Sequence, residues 1–296
     1  KHKLNIAIDL KGYSKHARLG MFKEGIAPVQ ITYLGYPGTL ASPCFDYSIV
    51  DETVIPETER EHYTEKLIYL PHSYQCTDNE RPVSSNATTR ADWGLPEEGT
   101  VFCCFNHTAK ICPDVFSIWM SVLKQAEGSA LWLLESNKWA KENLRKEAEQ
   151  KGVDPDRLVF APKIAQDEHL ARLRHADLFL DTFAYNAHTT ASDALYMGLP
   201  VVTKAGRQFA ARVGSSLLNA VGLPELVTET NDEYEKLIME LAADTRRLNE
   251  IRERLLRVRL QSPLYDTARF TRNFEVGLWE AWQKSIDGAK PEDIKV

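Results

Sequence analysis

Compact apolar runs alternate with longer amphipathic stretches along most of this 296-residue chain. Leu4–Leu10, Val29–Leu34, Tyr47–Val50 and Lys66–Leu70 are each short and apolar enough for a buried strand, and Lys15–Lys23 between the first two suits a short helix. Gly35-Tyr36-Pro37-Gly38-Thr39 carries too much Gly and Pro for regular structure and predicts a loop. From Thr100 onward the alternation becomes regular. Strands are predicted over Thr100–Phe105, Ser129–Leu134, Arg157–Ala161, Leu178–Leu180 and Pro200–Thr203. Helices are predicted over Val115–Lys124, Lys138–Gln150, Asp167–Arg174, Ala191–Met197, Phe209–Ala220, Asp232–Leu260 and, aromatic-rich, Phe270–Ile286. Strands that alternate with helices of this length mark βαβ units and a parallel α/β sheet. The polar stretch Cys76–Asp92 lacks apolar periodicity and is the best linker, so a boundary is expected there.

Composition narrows the function classes. With 36 Lys and Arg against 42 Asp and Glu the net charge is −6, which argues against broad binding to nucleic acid or an anionic membrane. No apolar run reaches the ~20 residues of a membrane span. The five cysteines (Cys44, Cys76, Cys103, Cys104 and Cys112) form no CxxC pair, and a reducing cytoplasmic setting is expected. A first strand that begins by about Leu4, with no initiator Met before it, suggests a piece of a longer protein.

Candidate chemistry concentrates in three loops that follow strands. Asp181–Pro200 runs from the strand ending at Leu180 through a polar turn into His188-Thr189-Thr190 and then a helix. A helix N-terminus offers free amides and a positive dipole end, suited to phosphate, and Asp193 one turn on can reach a sugar hydroxyl. Phe105-Asn106-His107-Thr108-Ala109-Lys110 places a lysine at another strand end, where it can neutralise a pyrophosphate. In Asp167-Glu168-His169-Leu170-Ala171-Arg172, His169 and Arg172 share a helix face and can flank a planar base. Capping threonines, a solvated aspartate and a surface lysine would explain each loop taken singly. All three opening on one sheet edge is what joins them. Asp154-Pro155-Asp156 has the Asp-x-Asp form of metal-using transferases but sits where a turn is expected, and no His/Cys/Asp cluster has metal spacing.

Three segments together resemble a known family: GYSKHARLGMF with APVQITYLGYPGT, FNHTAK, and FAPKIAQDEHLARLRHADLFLDTFAYNAHTTASDALYMGLPVVT. They are similar to the catalytic region of the O-linked N-acetylglucosamine transferases, which also includes Spindly-type O-fucosyltransferases, and the likeness runs from about Ile6 to the last helix. The resemblance implies a GT-B fold of two Rossmann-like lobes with parallel sheets, the first incomplete in this chain, and a C-terminal helix returning to that lobe. The expected divisions are an acceptor-side segment over 1–80, a nucleotide-sugar lobe over 81–265 and the returning helix over 266–296. The implied activity is an inverting, metal-independent, cofactor-free transfer of GlcNAc from UDP-GlcNAc to Ser/Thr of a protein. A GDP-fucose donor or a catalytically inactive nucleotide-sugar-binding module are the alternatives.

By the resemblance, Lys110 and His188 would be catalytic. His107, Tyr185, His169, Arg172, Thr189, Thr190, Asp193 and the backbone at Ile164 would hold the nucleotide sugar, and Gly35, Tyr36 and Pro37 would face sugar and acceptor. Relatives commonly carry a lysine, a glutamine, a cysteine and a peptide-side histidine where this chain has Gln166, His107, Tyr185 and Asn5. An upstream catalytic-lobe segment and tetratricopeptide repeats are further expected partners.

Overall fold

The structure, a computed structural model, describes residues 3–296; Lys1 and His2, which open the expected first segment, lie outside the described residues. Four strands, β1 (Ile6–Asp9), β2 (Val29–Thr32), β3 (Tyr47–Val50) and β4 (Lys66–Tyr69), pair in parallel in sequence order. β2 and β3 are buried at every position, as in a parallel sheet covered on both faces. The helix expected over Lys15–Lys23 is instead a 3₁₀ helix at Leu19–Glu24 that buries only Phe22. One buried side chain gives a longer helix no apolar face to pack.

The second sheet holds β5 (Val101–Cys104), β6 (Ala130–Leu134), β7 (Leu158–Ala161), β8 (Leu178–Leu180), β9 (Val201–Lys204) and β10 (Val227–Thr228), in the order β10-β9-β8-β5-β6-β7. After β7 the chain crosses to the other side of β5, so the loops after β5 and β8 diverge and leave a crevice at their carboxyl ends. The helices of this half are α1 (Pro113–Gln125), α2 (Lys138–Gln150), α3 (Gln166–Arg172), α4 (Thr189–Tyr196), α5 (Val213–Ala220) and α6 (Asn231–Ala243). α1 buries Val115, Ile118, Trp119 and Val122, the spacing of one helix face. Trp119 and Trp132 are fully buried, and cutting either to alanine would cost about 3–5 kcal/mol.

The helix predicted over Asp232–Leu260 is two. α6 ends at Ala243, and α7 (Thr245–Val258) restarts behind Asp244, whose carboxylate accepts the Arg247 amide at 2.9 Å. α8 (Thr267–Ile286) then returns to the first sheet. Its Phe270, Phe274, Leu278 and Ala281 pack with Ile31, Ile49 and Ile68. Gly277 permits the approach, since a Cβ there would lie 2.6 Å from Ile68 Cγ2. Behind α8, β11 (Ile294–Lys295) adds beside β4, an edge strand absent from the sequence-based expectation.

The sheets are joined by polar as well as apolar contacts. Asp51, fully buried at the end of β3, accepts the Thr53, Val54 and Tyr74 amides and the Ser216 hydroxyl of α5 at 2.6–2.8 Å. Arg212 donates to the Thr53 carbonyl at 2.6 Å. The core of the second sheet continues without a break into Val50, Val54, Leu67 and Tyr74. No helix among the described residues is long and apolar enough to cross a membrane.

Candidate functional site

The loops after β5 and β8 are fastened to one another before any ligand is considered. Asn106, 2% exposed just after β5, donates to Thr182 Oγ1 at 2.8 Å and accepts the Thr190 hydroxyl at 2.6 Å. Asp181, fully buried at the end of β8, accepts the Thr182 and Ala187 amides at 2.8 and 2.6 Å and the Thr203 hydroxyl at 2.7 Å. These bonds fold residues 182–188 into a fixed turn that delivers His188 to the N-cap of α4. Burial raises the Asp181 carboxyl to about 6, opposed by those hydrogen bonds and by Lys110.

Lys110 donates to the Asn186 carbonyl at 2.8 Å, and its ammonium lies 4.0 Å from the centre of the Tyr185 ring. Burial lowers its pKa, with Asp181 and then Cys104 acting against that. The His188 ring stacks on Tyr185 at 4.7 Å, and burial, reinforced by Lys110, pushes its pKa down to about 3. A neutral imidazole thus sits beside a cation, at a helix end whose first amides are free of intrahelical partners.

An opening of about 780 Å³ between the two sheets collects Gly35, Thr77 and Arg81 from one side, and His107, Lys110, Gln166, Tyr185, His188, Thr189 and Thr190 from the other. Gly35 must be glycine, because a Cβ there would lie 2.0 Å from the Leu10 carbonyl oxygen. A neighbouring cleft of about 830 Å³ is lined by Tyr36, Pro37, Glu59, His62, Phe183 and Arg207 among others. Though larger, it sets its cations Lys204 and Arg207 among the carboxylates of Glu59 and Asp114, Arg207 pairing with Glu59, whereas the smaller opening sets Lys110 at the α4 N-terminus, the arrangement suited to phosphate.

The remaining residues expected at the site lie outside the linings of both openings. Arg172 is 2% exposed, donates to the Pro162 carbonyl at 2.7 Å and to His169 Nδ1, and lies 4.8 Å from the centre of the Phe105 ring. It braces the wall from inside instead of presenting a face to a base. His169, with its pKa pushed down to about 4 by burial and then by Arg172, stands 3.8 Å from Asp193. Ile164 is half-buried in the loop before α3. Asp193 is 3% exposed and already engaged, paired with Arg81 and accepting from Gln166 at 3.1 Å. Asn106, Asp181 and Arg81 escaped the sequence reading. Asn106 is masked inside FNHTAK by the neighbouring lysine, Asp181 has the look of a plain strand end, and Arg81 lies in a polar stretch with the composition of a linker.

Among the described residues no three His, Cys, Asp or Glu side chains gather in a group that could hold a metal ion. Asp154 and Asp156 form a turn closed by the Asp156 amide on Asp154 Oδ1 at 3.0 Å.

Two parallel-sheet lobes across a cleft, with a terminal helix returning to the first, define a GT-B architecture. The profile of glycosyl transferase family 41 matches residues 1–84 and 75–274, and the chain belongs to that family. It is 36% identical over 99% of its length to a probable UDP-N-acetylglucosamine–peptide N-acetylglucosaminyltransferase SEC of Arabidopsis thaliana, of which it spans 31%. It is 35% identical over 98% of its length to a probable enzyme of the same description, SPINDLY, of Petunia hybrida, and again spans 31% of that protein. A solved variant of the Thermobaculum terrenum O-GlcNAc transferase superposes with a TM-score of 0.87 at 31% identity, covering 96% of this chain and 54% of that one. The chain therefore spans about a third of the curated relatives it matches.

Proposed function

We propose that this chain carries the donor site of an inverting, metal-independent protein glycosyltransferase that moves GlcNAc from UDP-GlcNAc to Ser/Thr hydroxyls. The observation that carries the reading is the convergence of the Lys110 ammonium with His188, Thr189 and Thr190 at the α4 N-terminus in one inter-lobe opening. The acceptor hydroxyl attacks the anomeric carbon opposite the diphosphate, the sugar–phosphate C–O bond breaks, and its electron pair leaves on UDP as the hydroxyl proton is released. Lys110 and the α4 amides take up the charge that develops on the leaving diphosphate, with no metal required for that task. His188, neutral, shapes the sugar side of the pocket against Tyr185. Asp193 serves the ribose hydroxyls, and Gly35, Tyr36 and Pro37 bound the acceptor side. His107 lies at the diphosphate end, and the backbone at Ile164 reads the base edge.

In this reading residues 1–80 belong to the acceptor-side lobe and 81–265 to the nucleotide lobe, of a cytoplasmic enzyme whose other parts include an upstream catalytic-lobe segment and tetratricopeptide repeats. The names of the SEC and SPINDLY relatives support a UDP-GlcNAc donor. Lys110→Ala tests the assignment. Transfer to a Ser/Thr peptide should fall by about 10²–10³-fold, the usual cost of one lost oxyanion donor, with the melting temperature nearly unchanged. Full transfer by the variant would refute the leaving-group role.

A further inference from the structure

Residues 76–90 contain neither helix nor strand, yet they are not a slack tether. The Thr77 amide donates to the Leu264 carbonyl at 2.9 Å, and its hydroxyl bonds Ser192 Oγ on α4 at 2.6 Å. Four residues on, Arg81 lays its guanidinium over the Tyr196 ring at 4.3 Å and pairs through Nη1 with Asp193. Its other two donor atoms, Nε and Nη2, are buried and have no hydrogen-bond partner. A desolvated, unpaired guanidinium N–H is unfavourable, and an oxygen-rich ligand within reach relieves it. Arg81 lines the same opening as Lys110, Gln166, His188 and Thr190.

We infer that Arg81 is a nucleotide-contacting residue supplied by the inter-lobe strap. When a nucleoside diphosphate fills the opening, the guanidinium keeps its place beside Asp193 and turns its unpaired N–H groups onto oxygen acceptors of the nucleoside end. Asp193, an acceptor, and Arg81, a donor, then read the two polarities that ribose hydroxyls and a base carbonyl present. Because the strap is pinned to α4 at Ser192 and to Leu264, nucleotide binding and the path of the chain between the lobes are mechanically joined. This inference rests on the donor-site reading above.

The test is calorimetric titration of UDP and of uridine into the wild type and into Arg81→Met, Arg81→Lys and Lys110→Ala. Losing a charge-assisted contact should weaken UDP and uridine alike by roughly ten- to a hundred-fold in Arg81→Met, with partial rescue in Arg81→Lys. Lys110→Ala should weaken UDP and spare uridine. In an Asp193→Asn background Arg81→Met should still weaken UDP; no further loss there would reduce Arg81 to a brace for Asp193 and overturn the contact. UDP and uridine affinities unchanged in Arg81→Met, with Lys110→Ala defective, would overturn the Arg81 role and leave the donor site standing. A wild type that binds no nucleoside diphosphate would overturn both. If Arg81→Met does not fold, Arg81→Lys carries the comparison, since lysine keeps the charge but not the fork of donors.

Discussion

Replacing Asp181 by asparagine separates what its charge does from what its shape does. The carboxylate is fully buried, and burial raises it from 3.8 to about 6. A carboxyl whose folded value lies above its unfolded value binds more protons when folded. Its contribution to stability is therefore complete below pH ~4 and is lost as pH rises through ~6. The difference of about two units amounts to about 3 kcal/mol, to order of magnitude. Asparagine retains an oxygen for the Thr182 and Ala187 amides, and the Thr203 hydroxyl can turn to accept from the new NH₂. The constant part of the change is whatever those neutral bonds lose, of order 1–3 kcal/mol. The pH-dependent part has a definite sign. Urea unfolding of both proteins should show the variant gaining on the wild type by about 3 kcal/mol from about pH 4 to about pH 8. A flat difference, or one that falls with pH, would refute the claim that the ionised Asp181 is held at a cost. The same variant removes the charge that raises the pKa of Lys110, so any alkaline limb of transfer that reports Lys110 should move to lower pH.

Other outcomes follow from the same contacts. Gly35→Ala places a methyl 2.0 Å from the Leu10 carbonyl and should displace the loop that closes the opening, weakening nucleotide binding and lowering the melting temperature by several degrees. His188, held down to about 3, should stay neutral at pH 5, visible as a neutral imidazole in its ring nitrogen shifts. A depressed histidine contributes stability that is present above pH ~6.5 and is lost as pH falls toward ~3, so His188→Gln should flatten the acid side of the stability profile. An imidazolium signal for His188 at pH 5 would contradict its burial.

The second sheet was legible because its strands are contiguous apolar runs with buried faces on both sides, a pattern that few other placements satisfy. Its two-residue edge β10, like β11 in the first sheet, left no such trace, since two residues carry no periodicity. The break between α6 and α7 hid because the apolar spacing continues past Asp244, where the backbone leaves helical geometry (φ −112°, ψ 80°) and the carboxylate takes the Arg247 amide. For the site, the strand–loop–helix pattern located Lys110, His188, Thr189 and Thr190 on one opening. Side-chain direction was beyond it. The i,i+3 spacing of His169 and Arg172 was visible, but Arg172 turns inward because Phe105, Trp93 and Trp132, distant in sequence, supply an aromatic bed for its guanidinium. Arg81 was hidden by the composition of its surroundings. A polar, proline-bearing stretch reads as linker, and only the fold shows it pressed against α4.

An opening between the lobes that takes a uridine diphosphate donor should tell uridine from guanosine nucleotides. The decisive measurement is calorimetric titration of the chain with UDP and, separately, with GDP. Saturable UDP binding is expected, lost or strongly weakened in Lys110→Ala, with GDP markedly weaker. Preference for GDP would contradict the UDP assignment and favour the fucose-donor branch, and binding of neither would contradict the donor site itself.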